Sequence, residues 1–453
     1  MTMNESRLPI ERMLAALFVF VLLNSANTLS QTTPAPVDQQ EQALVVDSIA
    51  TILNNNYVYP ETAAQMGKLI RQNLKESRYE SLTDPNEFAD KLTEDLQSVS
   101  HDRHLWVRYG PRMIAMMKNA KESPNDNELQ KLELQENREA NYGFKELKLL
   151  EGNMVYLKLD NFMSTTTYPE AGQAAIAAMQ FAANARVLII DLRDNGGGSP
   201  DMIQLLSSYF FKGDIQHLNT FYWRPKDETV QFWTLPHVPG QKIEKTDIYV
   251  LTSSNTFSAA EEFTYNLKNM KRAVIVGETT GGGAHPTDAR IINDHFGMSV
   301  PMGKAINPIT KTNWEGTGIK PHYEVPRDKA LDKAIIVALD SLLKKETDEE
   351  RIKKYTWIKE RKNTLLEPFA LDEKILKKYV GKFGPRMIIF ENAALYYQRE
   401  GRPKMKMIPM NADTFIFEEI PYFKLRVVED HGKVVSVMGI YDDGHTDENK
   451  KEG

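Results

Sequence analysis

The chain has 453 residues, 41% of them hydrophobic and 26% charged, with a net charge of −6. This is ordinary globular composition, long enough for two or three domains, and its acidic balance speaks against nucleic acid or an anionic membrane surface as a partner. Cysteine is absent, which excludes disulfides, thiolate metal sites, a cysteine nucleophile and lipid attachment to an N-terminal cysteine.

Arg7 and Arg12 precede the apolar run "MLAALFVFVLL" (Met13 to Leu23), which is followed by the small and polar "NSANTLSQTTPAP". The run is too short to span a bilayer and suits the apolar region of a signal peptide over residues 1–30. The expected mature protein is extracytoplasmic, periplasmic or secreted, with no stable membrane span. Residues 41–105 read as a small helical domain. "ALVVDSIATILNNNYVYPETAAQMGKLIRQNL" carries apolar residues at three- and four-residue spacing, and Asp84-Pro85 is a helix N-cap followed by proline at the first helical position. Residues 106–140 form a charged linker or lid, with a turn at Ser123 to Asn127.

From Asn153 the period changes. "NMVYLKL", "RVLIIDLR", "DIYVLTS" and "RAVIVGE" are nearly continuous apolar strands, separated by the helical stretches "EAGQAAIAAMQFAANA", "SPDMIQLLSSYFF" and "SAAEEFTYNLKNM". This alternation predicts an α/β domain over 141–345, a largely parallel sheet with crossover helices on both faces. A helical linker (346–370) leads to short alternating strands over 371–445, a small antiparallel β domain.

Parallel sheets place their sites at the carboxyl ends of strands. Three loops there draw attention. "DLRDNGGGSP" exposes backbone N–H groups through Gly196, Gly197 and Gly198. "LTSSNTFSAAEEF" turns into a helix, with Thr256 or Asn255 as the expected N-cap and Ser258 in the first turn, where the dipole favours an oxyanion. "GETTGGGAHPTD" is glycine-rich but has no lysine. The chain lacks the G-x-G-x-x-G of a dinucleotide site, the Walker A pattern and the G-x-S-x-G elbow. For the second loop by itself, capping explains the hydroxyls better than chemistry does. "SHDRHLWVRY" supplies His101 and His104, spaced by three without a third ligand nearby, so no metal and no cofactor is expected.

Together these loops resemble the serine peptidase superfamily of the C-terminal-processing proteases, tricorn and the interphotoreceptor retinoid-binding protein. The motifs that carry the resemblance are "DRHL" at Asp102, "DLRDNGGG" at Asp191, "TSSNTFSAAEE" at Thr252, "GETTGGG" at Gly277 and "WEGTGIKP" at Trp314. They occur in the family's order over roughly residues 41–330. The resemblance implies a ClpP/crotonase-like spiral, with Ser258 as nucleophile, His104 as general base and Glu315 as the supporting carboxylate. The oxyanion hole falls to backbone N–H groups of Gly196 or Gly197 and Ala259, and capping to Thr256.

Two departures qualify the resemblance. Gly282 stands where the processing-protease branch has its lysine base, so the base must be histidine, as in the tricorn-like branch. Arg103 stands where tricorn has a serine, which leaves the residue linking base to carboxylate open. No PDZ domain fits in residues 111–140. The implied function is an exported serine endopeptidase or carboxy-terminal peptidase acting on peptides or unfolded protein, with a rate limb at about pH 6–7 from histidine. The alternative is a non-catalytic binder of an apolar ligand or peptide on the same fold.

Overall fold

A computed structural model describes residues 34–122 and 128–452. The expected signal peptide and the turn at Ser123 to Asn127 lie outside the described residues. The chain forms two compact units: one ends at Arg327, and the other starts at Asp328 and also takes in Leu150–Asn153.

The first unit begins with three helices, α1 (Gln39–Asn56), α2 (Pro60–Lys75) and α3 (Pro85–Ser100). Their starts follow from local chemistry. The Asp38 carboxylate accepts the Glu41 N–H, Pro60 begins α2, and Asp84 accepts from Asn86 and Glu87. Helix α3 ends where His101 adopts a left-handed conformation (φ 54°), an exposed C-cap. Short strand β1 (Trp106–Tyr109) and two further helices, α4 (Pro111–Glu122) and α5 (Glu128–Glu139), complete this part.

The central sheet follows. Its strands are β2 (Phe144–Leu150), β3 (Met154–Leu159), β4 (Val187–Asp191), β7 (Asp247–Thr252), β8 (Ala273–Gly277) and β12 (Tyr323–Glu324), in the order β12-β8-β7-β4-β3-β2. The four pairings from β12 to β3 are all parallel, with Leu157 opposite Ile190, Ile190 opposite Val250, and Leu251 opposite Val276. Every residue of β4 is buried, as expected for a strand covered on both faces. The crossover helices are α6 (Pro169–Phe181) between β3 and β4, α7 (Pro200–Ser208) after β4, and α8 (Ala259–Asn269) between β7 and β8. Their apolar faces and the sheet share one core containing Leu157, Ile190, Val250 and Phe263. The α/β class expected from the sequence is the one observed.

Two small antiparallel sheets were not legible in the sequence. Strands β5 (His217–Trp223) and β6 (Glu228–Trp233) pair as a hairpin extended by β11 (Gly303–Ile306). Strands β9 (Thr287–Ile291) and β10 (Phe296–Pro301) pair with β1, so that Trp106 lies opposite Ser299. Phe296, Met298 and Val300 complete the core of the N-terminal helices, which therefore do not bury their apolar faces by themselves.

The second unit starts with helices at Ala330–Leu343 and Glu349–Leu366. The sequence reading ran the α/β region on to residue 345, whereas the division between compact units falls at Arg327 and Asp328. Two antiparallel meanders of four and five strands then pack around Phe383, Phe415, Phe417 and Phe423.

Candidate active site

Strand β4 ends at Asp191, whose carboxylate accepts from the Tyr156 hydroxyl (2.6 Å) and the Arg193 guanidinium (2.5 Å). In the glycine turn that follows, Asn195 donates its side-chain amide to the Leu159 carbonyl (2.8 Å) and accepts the Gly197 N–H (2.9 Å). That engagement takes Gly197 out of the pair expected to hold an oxyanion. Gly197 (φ +121°) instead provides close approach: a β-carbon there would sit 2.8 Å from Ser258 Cβ and 3.1 Å from Ala259 N. Gly196 lines the adjoining cavity, and a β-carbon on it would meet nothing within 4 Å.

The hydroxyl-rich loop after β7 is braced against this turn. Ser253 donates to the Arg193 carbonyl (2.5 Å), and Thr256 donates to the Leu192 carbonyl (2.8 Å) while accepting the Ser253 N–H (2.9 Å). Thr256 therefore ties two loops together and does not cap the helix. The N-cap position belongs to Ser258, at φ 54° and ψ −120°, a sparsely populated conformation that costs on the order of 1–3 kcal/mol. Ala259 is the first helical residue, and its N–H has no acceptor within the helix.

One carboxylate holds the strained turn in place. Glu261 is fully buried and accepts N–H groups from Ser258 (3.0 Å), Gly282 (2.7 Å) and Gly283 (2.8 Å), and the Thr280 hydroxyl (2.5 Å). Burial raises its carboxyl to about 6 despite these four donors. The loop after β8 is thereby fastened under the helix N-terminus. Gly283 passes so close to His104 that a β-carbon there would lie 2.6 Å from the ring Cε1.

His104 is buried and packs against the Phe257 ring at a centroid separation of 4.5 Å, with no hydrogen-bond partner on either ring nitrogen. Burial holds its imidazole down at about 4, so the ring is neutral at physiological pH. That shift sets a His104 titration below the expected pH of about 6–7. His104 and Ser258 line one cavity of about 520 Å³, together with Gly196, Ala259 and His285. They are not hydrogen-bonded to one another.

Glu315 does not reach His104 directly. Its Oε2 accepts the Ala284 N–H (2.5 Å) and lies 3.4 Å from His285 Nδ1. His285 Nδ1 in turn lies 2.7 Å from Asp102 Oδ2, and the other oxygen of Asp102 accepts the His104 N–H (3.0 Å) and sits 3.9 Å from His104 Nδ1. The Tyr57 hydroxyl also donates to Asp102 (3.4 Å). Burial pulls the His285 imidazole down, but the Asp102 hydrogen bond and the Asp102 and Glu315 charges outweigh it and leave it raised. Burial and the Asp102 charge push Glu315 up to about 7, against the opposing charge of His285.

His285 and Asp102 are the residues that sequence reasoning missed in these roles. Both stood inside quoted motifs, "GGGAHPTD" and "DRHL", but 183 residues separate them, and nothing local pairs them. Asp102, His285 and Glu315 place one donor atom each within 4.8 Å of the others, a spacing that serves proton sharing as well as chelation. Arg103 turns away to donate to the Gly281 carbonyl (3.0 Å), and exposed His101 caps α3. A further buried carboxyl, Glu262, lines the cavity one helical turn beyond Ser258.

The family model "Peptidase family S41" matches residues 153–325, and "N-terminal domain of Peptidase_S41 in eukaryotic IRBP" matches residues 38–143. Carboxyl-terminal-processing peptidase 2, chloroplastic, of Arabidopsis thaliana is 26% identical over 175 residues, which are 38% of this chain and 32% of that protein. The match thus spans about a third of the curated relative's length. Among solved structures, a lipoprotein from Streptococcus agalactiae superposes with a TM-score of 0.45 at 13% identity, covering 69% of this chain and 99% of that one. The tricorn protease gives 0.43 at 13%, covering 67% of this chain and 37% of that one. With both family matches spanning the helical region and the sheet that carries these loops, the chain belongs to the superfamily of the C-terminal-processing serine peptidases, family S41.

Proposed function

We propose that the chain is an exported serine peptidase that hydrolyses peptide bonds, as an endopeptidase or a carboxy-terminal peptidase, with Ser258 as nucleophile and His104 as base. The observation that carries this reading is the strained serine at the N-terminus of α8, sharing a cavity with a neutral, unpartnered histidine. His104 removes the Ser258 proton as the alkoxide attacks the substrate carbonyl. The Gly196 and Ala259 N–H groups and the positive end of α8 hold the oxyanion, and His104 then protonates the leaving amine. Water resolves the acyl-enzyme by the same steps. Asp102 lies beside the imidazolium that forms, and His285 connects Asp102 to Glu315, so the link left open by Arg103 is made by two residues. Export rests on the N-terminal sequence; among the described residues no helix is long and apolar enough to cross a membrane.

The test is digestion of a diverse peptide mixture by the purified mature chain and its Ser258→Ala variant, read by mass spectrometry. New termini made only by the Ser258 chain are expected. Identical products from both would remove the peptidase reading and leave binding of an apolar ligand or peptide in the cavity. A second expectation concerns the close approach at Gly197. Gly197→Ala forces a β-carbon against Ser258 and Ala259 N, so kcat should fall at least about a hundredfold, the usual loss when an oxyanion donor is displaced. An unchanged kcat would show that the glycine turn does not position the nucleophile.

A further inference from the structure

Glu262 projects from α8 into the same cavity as Ser258, four residues further along the helix and so about 6 Å along its axis. It is 3% exposed, and its Oε1 has no hydrogen-bond partner. Two buried carboxamides face it, Asn219 from β5 and Asn266 from α8. The Asn219 side-chain oxygen accepts the Thr220 N–H (3.0 Å), and that of Asn266 accepts the Asn307 side-chain amide (3.1 Å). Each therefore turns its NH₂ group to the carboxyl and favours its ionised form against burial. Glu262 thus lines the cavity with two buried carboxamide donors behind it, and among the described residues its carboxyl has no counter-ion.

We propose that Glu262 is the floor of a subsite for a basic side chain, lysine or arginine, of the peptide held at Ser258. The assignment of that peptide as a substrate rests on the peptidase reading; the subsite itself does not. An unpaired buried carboxylate is costly, and the cost is relieved either by protonation or by a cation that completes the pair. Burial pushes the Glu262 carboxyl up to about 8, the first of these solutions. An entering ammonium or guanidinium group supplies the second. The Phe221 and Trp314 rings among the lining residues offer apolar surface to the long stem of such a side chain. Besides Glu262, the carboxyls of Glu133, Glu136 and Asp160 line the cavity with Arg103, Lys145 and His285, while Asp194 is already paired with Lys158 and Arg327.

The experiment separates binding from turnover. The Ser258→Ala chain is titrated by calorimetry with three peptides that differ at one position, carrying lysine, norleucine or glutamine. The lysine peptide is expected to bind at least about tenfold more tightly than either analogue, as a desolvated charge pair requires. Adding Glu262→Gln, nearly isosteric, should abolish that advantage. Equal affinity for lysine and norleucine, or for lysine and glutamine, overturns the proposal, as does no detectable binding of the lysine peptide at millimolar concentration. The comparison among peptides needs no change at Glu262, so a misfolded variant cannot obscure it. Cleavage by the Ser258 chain is scored separately: lysine preference without turnover would sink the peptidase reading and leave the subsite standing.

Discussion

Ser258→Ala is expected to reduce kcat by on the order of a million-fold, the loss seen when a serine hydrolase loses its nucleophile, while the fold is retained. Ser258→Gly should lose activity equally but behave differently in stability. The φ of 54° and ψ of −120° at Ser258 strain any residue with a β-carbon, alanine included, whereas glycine adopts them without steric penalty. Glycine is also a tolerated N-cap. The glycine variant should therefore be stabilised by about 1 kcal/mol, a rise of roughly 2 °C in Tm, with the alanine variant close to the parent. Thermal unfolding and steady-state rates on the three proteins check both parts. A glycine variant that melts below the alanine variant would show that the turn is not strained, and that Glu261 and Thr256 stabilise a conformation the serine adopts freely.

The second large effect concerns pH. Burial keeps His104 neutral down to about 4, so its titration lies below the working range. Glu261 at about 6, Glu315 at about 7 and Glu262 at about 8 all change charge near neutrality; of these, Glu315 is the one that His285 and Asp102 connect to His104. As pH rises through about 7 the Glu315 carboxylate forms, and in the mechanism proposed above its charge, passed through His285 and Asp102, favours the imidazolium formed at His104. kcat/KM should therefore climb through a limb near 7 rather than fall there. His285 opposes the rise in the Glu315 carboxyl; with His285→Gln that restraint is gone and the Glu315 carboxyl moves further up. The limb should shift to higher pH, with at least about tenfold less activity at neutral pH, partly recovered in alkaline buffer. A residue that merely packs would lower activity at every pH and leave the limb in place. A flat profile between about pH 5 and about pH 8 would remove both Glu315 and His285 from the mechanism.

The buried strands were legible because each is covered on both faces and so spells a continuous apolar run, as in "RVLIIDLR". The two small sheets were not. Apart from β10 their strands are mixed in burial, and β1 finds its partner β10 almost two hundred residues away. Likewise the three helices at the start read as a domain, yet Phe296 and Met298 from β10 close their core. Amphipathic periodicity shows that a face must be buried, not what will bury it.

The site divides along the same line. The sequence by itself determined the residue types at the strand ends: glycines where the backbone must pass close, a serine opening a helix, a histidine and a carboxylate in matching motifs. Each is a local property of a turn or a helix start, and motifs record local properties. Only the tertiary structure decided which groups meet. It gave the Gly197 N–H to Asn195, made Ser258 the N-cap under the hold of Glu261, removed solvent from His104 and so lowered its basicity, and set His285 between Asp102 and Glu315. Those outcomes depend on desolvation and on contacts between loops far apart in the chain, and neither is written in the order of residues along any one of them.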